Sequence, residues 1–412
     1  MSSDGRQLAL RCLGRLDREP QRAAQAVVRE VLDGPDVRGT EERERGLATE
    51  LTYGALRWRL WLDACIAERV ARPPADPEVQ NLLRIGALQL LVLDRIPAHA
   101  AVHATVDLAR RVRGERISGF INGVLRSLER DREALRQPAR AQLGAHPQWL
   151  VDRLRAWVGE ERLQAVLAVN LTPPPVALRL HPRTPPEALP ESTPSELPGV
   201  VFVDSEPRRV RDGVRDGLWI HQDPSSAAAV ALLDVQPGHR VLELCAGRGV
   251  KTSQLAMALQ GDAERAPETL IAMDLSPHKL AAARRLVRRW TGAEALVTVA
   301  ADATRPLPLT RGLLFDRILL DAPCSGLGVI RRRPETLWRR TPEDIEVLAA
   351  MQTAMLAEAL RWLAPGGQLI YSVCTISPEE TTAVTAPHGP VDERLTLPGE
   401  RADGFYVARF TR

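Results

Sequence analysis

Apolar residues return every three or four positions through most of residues 4–170, which predicts a series of amphipathic helices. The clearest are AAQAVVREVL (23–32), GLATELTYGALRWRLWLDACIAERVA (46–71), VQNLLRIGALQLLVL (79–93) and AVHATVDLARRV (101–112). Pro73, Pro74 and Pro97 punctuate the series, because proline cannot continue a helix and restrains the residue before it. These helices are too apolar to stand alone, so they should pack as one bundle, with Tyr53, Trp58 and Trp61 in its core rather than stacked on bases. From Thr172 to Pro198 the pattern changes to a proline-dense stretch in which only VALRL (176–180) and VVFV (200–203) have strand character. A small strand-containing module and a linker are both consistent with it.

After Gly217 the period changes once more. RVLELC (240–245), LIAMDL (270–275), ALVTVAAD (295–302), FDRILLDAPC (315–324) and QLIYSVCT (368–375) are apolar runs of strand length. Helical segments (TSQLAMALQ, SPHKLAAARRLVRRW and EDIEVLAAMQTAMLAEALRWLA) separate them. Strands alternating with helices predict a parallel sheet covered on both faces, with ligands at the carboxyl ends of its strands. The organisation expected is therefore a helical domain over 1–140, a short α+β linker or recognition module over 141–215, and an α/β domain over 216–412.

Composition adds little about fold: 44% hydrophobic and 26% charged residues are ordinary for a globular chain of 412 residues. No apolar run approaches the ~18–20 residues of a membrane span. The first twenty residues lack the apolar core of a secretion signal, so a cytoplasmic chain without membrane contact is expected. Only two of the 55 basic residues are lysine, Lys251 and Lys279. Arginine binds phosphate in a bidentate way, and the excess of arginine over acid in residues 95–140 suits an RNA-binding face, although coding bias is the plainer reading of the arginine richness as a whole. The five cysteines are scattered with no CxxC pair, which speaks against a disulfide framework or a zinc site and leaves a reactive thiol open.

Candidate chemistry collects at the strand ends. Cys245-Ala246-Gly247-Arg248-Gly249-Val250-Lys251 forms a glycine turn between a strand and a helix. It is not a P-loop, because Val250 rather than glycine precedes the lysine. Asp274 ends the second strand, where a ribose diol is commonly held, with Ser276 better placed to cap the following helix. Asp302 follows the third strand and is suited to an adenine amino group. Asp321 and Cys324 follow the fourth strand and Cys374 the fifth, so two thiols should face one pocket. A buried cysteine is usually inert, but a nucleophile is the sharper reading here.

Together these motifs resemble the RNA cytosine-5 methyltransferases of the Nop2/Sun type. LELCAGRGVKT (242–252) is similar to the family's LDLCAAPGGKT, DAPCSG (321–326) is intact, VCTISPEE (373–380) is similar to TCSxxPEEN, and GFYVARF (404–410) fits the closing strands. ERERGLATELTYGALRWR (42–59) and ISGFINGVLRSLER (117–130) are similar to the helical RNA-binding domain of the antitermination factor NusB. The resemblance implies an N-terminal all-α NusB-like bundle followed by a Rossmann-like class I methyltransferase domain. It implies S-adenosylmethionine as cofactor, lined by residues 245–251, Asp274, Asp302 and Asp321. It further implies Cys374 as the nucleophile on cytosine carbon 6, Cys324 in product release, Asp321 on the target base, and RNA, 16S rRNA in particular, as the partner of a monomeric enzyme. A tRNA substrate, or an RNA-binding assembly factor without catalysis, are the alternatives. Glu243, Gly247, Arg248 and Val250 depart from the first motif, so the cofactor loop is where this chain differs from the family.

Overall fold

The structure is a computed structural model that describes residues 4–37, 39–204, 206–260, 269–292 and 296–412. Residues 1–3 and Arg38 of the expected helical domain, Ser205 of the expected module and Ala295 of the expected run 295–302 lie outside the described residues. The chain divides into two compact units, one of Met1–Pro173 with Ile330–Arg339, the other of Pro174–Val329 with Arg340–Arg412.

The first unit is helical. Its helices include Gly5–Arg18, Ala24–Leu32, Glu42–Arg57, Arg59–Ala67, Pro77–Leu91, Ala98–Arg113 and Glu115–Arg130. Pro77–Leu91 is the central one: Leu82, Leu83, Ile85, Leu88 and Leu90 are fully buried. At Gly86 an added Cβ would lie 2.7 Å from Leu125, so a small residue sets how closely the helix Glu115–Arg130 approaches. The long apolar run 46–71 is broken at Trp58, which leaves helical geometry (φ −96°, ψ 6°) between two helices. Trp61 is buried and Trp58 packs on it at 5.4 Å. The segment Ile330–Arg339 completes this unit. Arg57, only 6% exposed, donates to the Arg331 carbonyl (3.0 Å); Ala24 N donates to Glu335 Oε1 (3.1 Å); and Arg339 donates to the Arg22 carbonyl (2.7 Å).

The second unit contains two sheets. The proline-rich region folds as a module: β1 (Val176–Leu180), β2 (Ser192–Pro194), β3 (Val200–Val203) and β4 (Trp219–His221) form an antiparallel sheet in the order β2-β3-β1-β4. Trp219 anchors its core, and a Cβ at Gly213 of the covering helix Pro207–Asp216 would fall 1.9 Å from the indole.

The larger sheet contains β5 (Val241–Leu244), β6 (Leu270–Asp274), β7 (Val297–Ala300), β8 (Phe315–Asp321), β9 (Leu363–Val373), β10 (Asp392–Thr396) and β11 (Phe405–Thr411). Its order is β10-β11-β9-β8-β5-β6-β7, parallel from β9 to β7 and antiparallel at β10 and β11. Strands of such a sheet are buried on both faces, which is why they read as continuous apolar runs rather than alternating ones. Leu242, Leu244, Ile318, Leu320 and Tyr371 pack on one side, and Val241, Leu319, Ile370 and Val407 on the other. The strand order reverses between β5 and β8, and the crevice outside their carboxyl ends is where such folds hold ligands.

Candidate active site

Leu244 pairs with Leu320 and Leu320 with Tyr371, so β5, β8 and β9 end level with one another. The loops that follow them therefore meet. Between β5 and the helix Val250–Gln260, positive φ falls on Cys245 (61°), Gly247 (59°) and Gly249 (90°). Val250 is not asked for it and opens the helix, which explains how a β-branched residue fits in a motif where the family has glycine. Gly249 is irreplaceable on two grounds, its φ and an added Cβ that would lie 2.6 Å from Ala283 Cα. At Gly247 the same atom would meet only the Cys245 carbonyl, at 3.9 Å, so this stretch of backbone is open to a ligand. Ala246 is buried and Arg248 exposed. Burial pushes the Cys245 thiol up to about 12, and its Sγ lies 3.9 Å from Met355 Sδ.

Asp274, 7% exposed, ends β6 and ties that loop down: Oδ2 accepts from Gly247 N (2.9 Å) and Oδ1 from Ser276 N (2.8 Å). Ser276 is the helix cap, accepting from Lys279 N. Asp302 Oδ1 accepts from the amide (2.9 Å) and hydroxyl (2.7 Å) of Thr304; these hold its carboxyl below the usual range and leave Oδ2 with Arg305 at 3.6 Å.

Lys251 donates to Asp321 Oδ2 (2.7 Å), and Ser372 donates to Asp321 Oδ1 (2.9 Å), so the carboxyl is held from both sides at the switch point. Beside it Cys324 Sγ and Cys374 Sγ lie 3.4 Å apart. Contact with Cys374, and then burial, raise the Cys324 thiol well above its ordinary value. A thiol so placed is a proton carrier at neutral pH rather than a free thiolate.

Three features of the site were not legible as functional from sequence. Glu243, 1% exposed on β5, has its carboxyl pushed up to about 8 by burial, and its Oε2 has no hydrogen-bond partner among the described residues. Arg179 of β1 stacks 4.3 Å from the Trp290 ring centroid and donates to Gln222 Oε1 (2.6 Å), Ser253 Oγ (2.6 Å) and the Val250 carbonyl (3.3 Å), bracing the start of the helix Val250–Gln260. An arginine inside the apolar run VALRL was the available signal. Ser372, a lone hydroxyl in the buried part of β9, was another.

The basic stretch of the helical unit is less open than its composition suggests. Arg110 pairs with Asp107 and Glu115, Arg111 with Asp4, and Arg113 with Asp76 and Glu78. Arg116 and Arg130 are exposed and make no ion pair among the described residues. No helix among those residues is long and apolar enough to cross a membrane.

Residues 230–388 match the family model described as 16S rRNA methyltransferase RsmB/F, and residues 3–130 match the NusB family. Ribosomal RNA small subunit methyltransferase B of Pseudomonas putida is 35% identical over 84% of this chain and 80% of its own length. The protein of the same description from Escherichia coli is 33% identical over 95% and 97%. Among solved structures, PH0851 superposes over the whole of both chains with a TM-score of 0.78 at 20% identity. NSun6 from Pyrococcus horikoshii, solved with SFG, gives 0.54 at 19% identity over 65% of this chain and 98% of its own. These two likenesses concern the fold, a Rossmann-like methyltransferase unit; the extended identity to curated relatives carries more, and by it the chain belongs to the family of ribosomal RNA small subunit methyltransferase B.

Proposed function

We propose that this protein methylates carbon 5 of a cytosine in 16S rRNA, using S-adenosylmethionine and a covalent bond between Cys374 and the base. The observation that carries the reading is the pair of thiols 3.4 Å apart beside the Lys251–Asp321 pair, at the carboxyl ends of adjacent strands. Cytosine carbon 5 is too weak a nucleophile to take a methyl group unaided. Addition of the Cys374 thiolate to carbon 6 places electron density on carbon 5, and one hard step becomes two easier ones. The cofactor supplies the methyl group. The open backbone at Gly247, the Asp274 carboxyl that fixes it and the remaining oxygen of Asp302 fit a ligand with a diol and an amino-purine, so Cys245, Ala246, Gly247, Arg248, Gly249, Val250, Lys251, Asp274, Asp302 and Asp321 are proposed to line its site. Asp321, oriented by Lys251 and Ser372, is proposed to hold the amino edge of the cytosine. After transfer the carbon-5 proton leaves to a base, the bond to Cys374 breaks, and Cys324 assists that release. The target must be unpaired or flipped out to reach these groups.

The helical region 1–140 is proposed to bind RNA, 141–215 to contribute to recognition and 216–412 to catalyse, in a monomer working in the cytoplasm. Denaturing electrophoresis with labelled RNA tests the thiol assignments. Cys374→Ser should abolish both turnover and adduct, and Cys324→Ser should accumulate a protein–RNA adduct. Accumulation in the Cys374 variant instead would exchange the roles, and normal methylation without adduct in either variant would end the covalent mechanism. Bisulfite sequencing of rRNA and tRNA from a deletion strain identifies the substrate.

A further inference from the structure

Glu380 lies six residues beyond Cys374 and is fully buried. Its carboxyl gathers the neighbours of both cysteines. Oε1 accepts from Ser325 N (2.8 Å) and from Gln352 Nε2 (3.0 Å); Oε2 accepts from the Ser325 hydroxyl and from Thr375 Oγ1 (3.1 Å). The two hydroxyls are themselves 2.9 Å apart. Gln352 also donates to the Pro323 carbonyl (2.8 Å), and Tyr371 donates to the Glu380 carbonyl (2.8 Å). Ser325 follows Cys324 and Thr375 follows Cys374, so one side chain ties the residue after each thiol to the other.

The two cysteines differ in what else restrains them. Cys374 follows directly on β9, whose last residue Val373 pairs with Tyr406 of β11. Cys324 stands three residues past the end of β8, in a loop without ladder partners of its own. Its loop is held by Glu380, by Arg340 donating to the Ser325 carbonyl (3.1 Å), and by Gly328 N donating to the Cys374 carbonyl (3.1 Å). Buried acceptors that satisfy several donors at once fix geometry, because every alternative arrangement leaves a buried N–H or O–H unpaired.

We infer that Glu380 is a positioning residue that clamps the Cys324 loop to the Cys374 loop and so sets the separation of the two thiols on which product release depends. The release role rests on the covalent reading above; the clamp itself does not. Hydrogen bonding at both ends of the side chain, rather than charge, is what the clamp needs. The amide of Glu380→Gln can keep its oxygen toward Ser325 N and Gln352 and donate its NH2 to the two hydroxyls, which turn to accept. Glu380→Ala removes the clamp, and the double variant Ser325→Ala/Thr375→Val removes its ties while leaving Glu380 in place, should the alanine variant not fold.

Phenylarsine oxide reads the thiol pair without RNA or cofactor, because its arsenic binds two neighbouring thiols and releases water. Capture is followed by mass spectrometry of the peptides holding Cys324 and Cys374. Wild type and Glu380→Gln should be bridged at similar rates, and Glu380→Ala and the double variant about 10- to 100-fold more slowly, as for a group displaced by roughly 1 Å. With RNA and S-adenosylmethionine the slow variants should accumulate the covalent adduct, a partial copy of Cys324→Ser. Bridging of Glu380→Ala and of the double variant at the wild-type rate overturns the clamp. Glu380→Gln behaving like Glu380→Ala overturns it also, in favour of a role for charge. Slow bridging in the clamp variants, with no adduct in any protein including Cys324→Ser, would support the clamp and refute the covalent reading instead.

Discussion

Glu243→Gln should change how the stability of the methyltransferase unit responds to pH. In the folded chain burial raises this carboxyl to about 8, against an ordinary 4.5; Asp321 and Asp274 push the same way, while Thr252 and Lys251 oppose them. The folded state therefore holds a proton that the unfolded chain has lost between those two values. Stability falls as pH rises through that window, by about 1.4 kcal/mol for each pH step and at most about 5 kcal/mol across it. Glutamine keeps the volume and the neutral form, so the variant should lack this slope. It should match wild type within about 1 kcal/mol near pH 5 and be the more stable of the two, by several kcal/mol, near pH 8. Urea titrations across that range would measure the difference. Because the chain has two compact units, the transition should be followed by hydrogen exchange on the β5 peptide, which belongs to one of them alone. Parallel stability curves for the two proteins would show that Glu243 is ionised in the fold and that its burial is compensated.

Asp274→Ala should weaken S-adenosylmethionine binding by about 1–3 kcal/mol in calorimetric titration, since it frees Gly247 N as well as removing an acceptor; unchanged affinity would reduce Asp274 to a loop brace. Gly249→Ala should cost more stability than Gly247→Ala, about 1–3 kcal/mol for strain plus the clash with Ala283, and melting curves that reverse the order would contradict the loop geometry. Reversing Arg116 and Arg130 to glutamate should weaken RNA binding and flatten its salt dependence with little change in melting temperature, because exposed charges contribute little to folding. Loss of melting temperature at unchanged RNA affinity would place the RNA elsewhere.

The larger sheet was legible because strands buried on both faces announce themselves as apolar runs, and the candidate site was legible because it sits at their ends. DAPCSG and the cysteine of VCTISPEE meet in space as their positions after β8 and β9 predicted. Other features depend on contacts far apart in sequence. VVFV was legible beside VALRL, but the other two strands of that sheet, Ser192–Pro194 and Trp219–His221, are too short to read, and the module appears only once Trp219 and Gly213 are seen packed together. Val250 is one of the departures from the first motif, yet the turn places its positive φ on Cys245, Gly247 and Gly249. The break at Trp58 carries no proline or glycine to mark it. The arginines in 95–140 were counted as surface charge, but six of them, Arg95, Arg110, Arg111, Arg113, Arg126 and Arg136, sit on acids.

The helical unit is not finished where its last long helix ends. Ile330–Arg339 supplies the acceptors for the buried Arg57 guanidinium and for Ala24 N, so a ribosome must synthesise more than three quarters of the chain before this unit can close. Until then Arg57 lacks the Arg331 carbonyl, the acceptor it has in the complete unit. The first unit thus waits for its own last segment during synthesis, against the usual order in which domains fold as they emerge. A chain stopped at Pro173 should accordingly be less stable than the same unit within the whole protein, and adding the peptide 330–339 in trans should restore part of the loss.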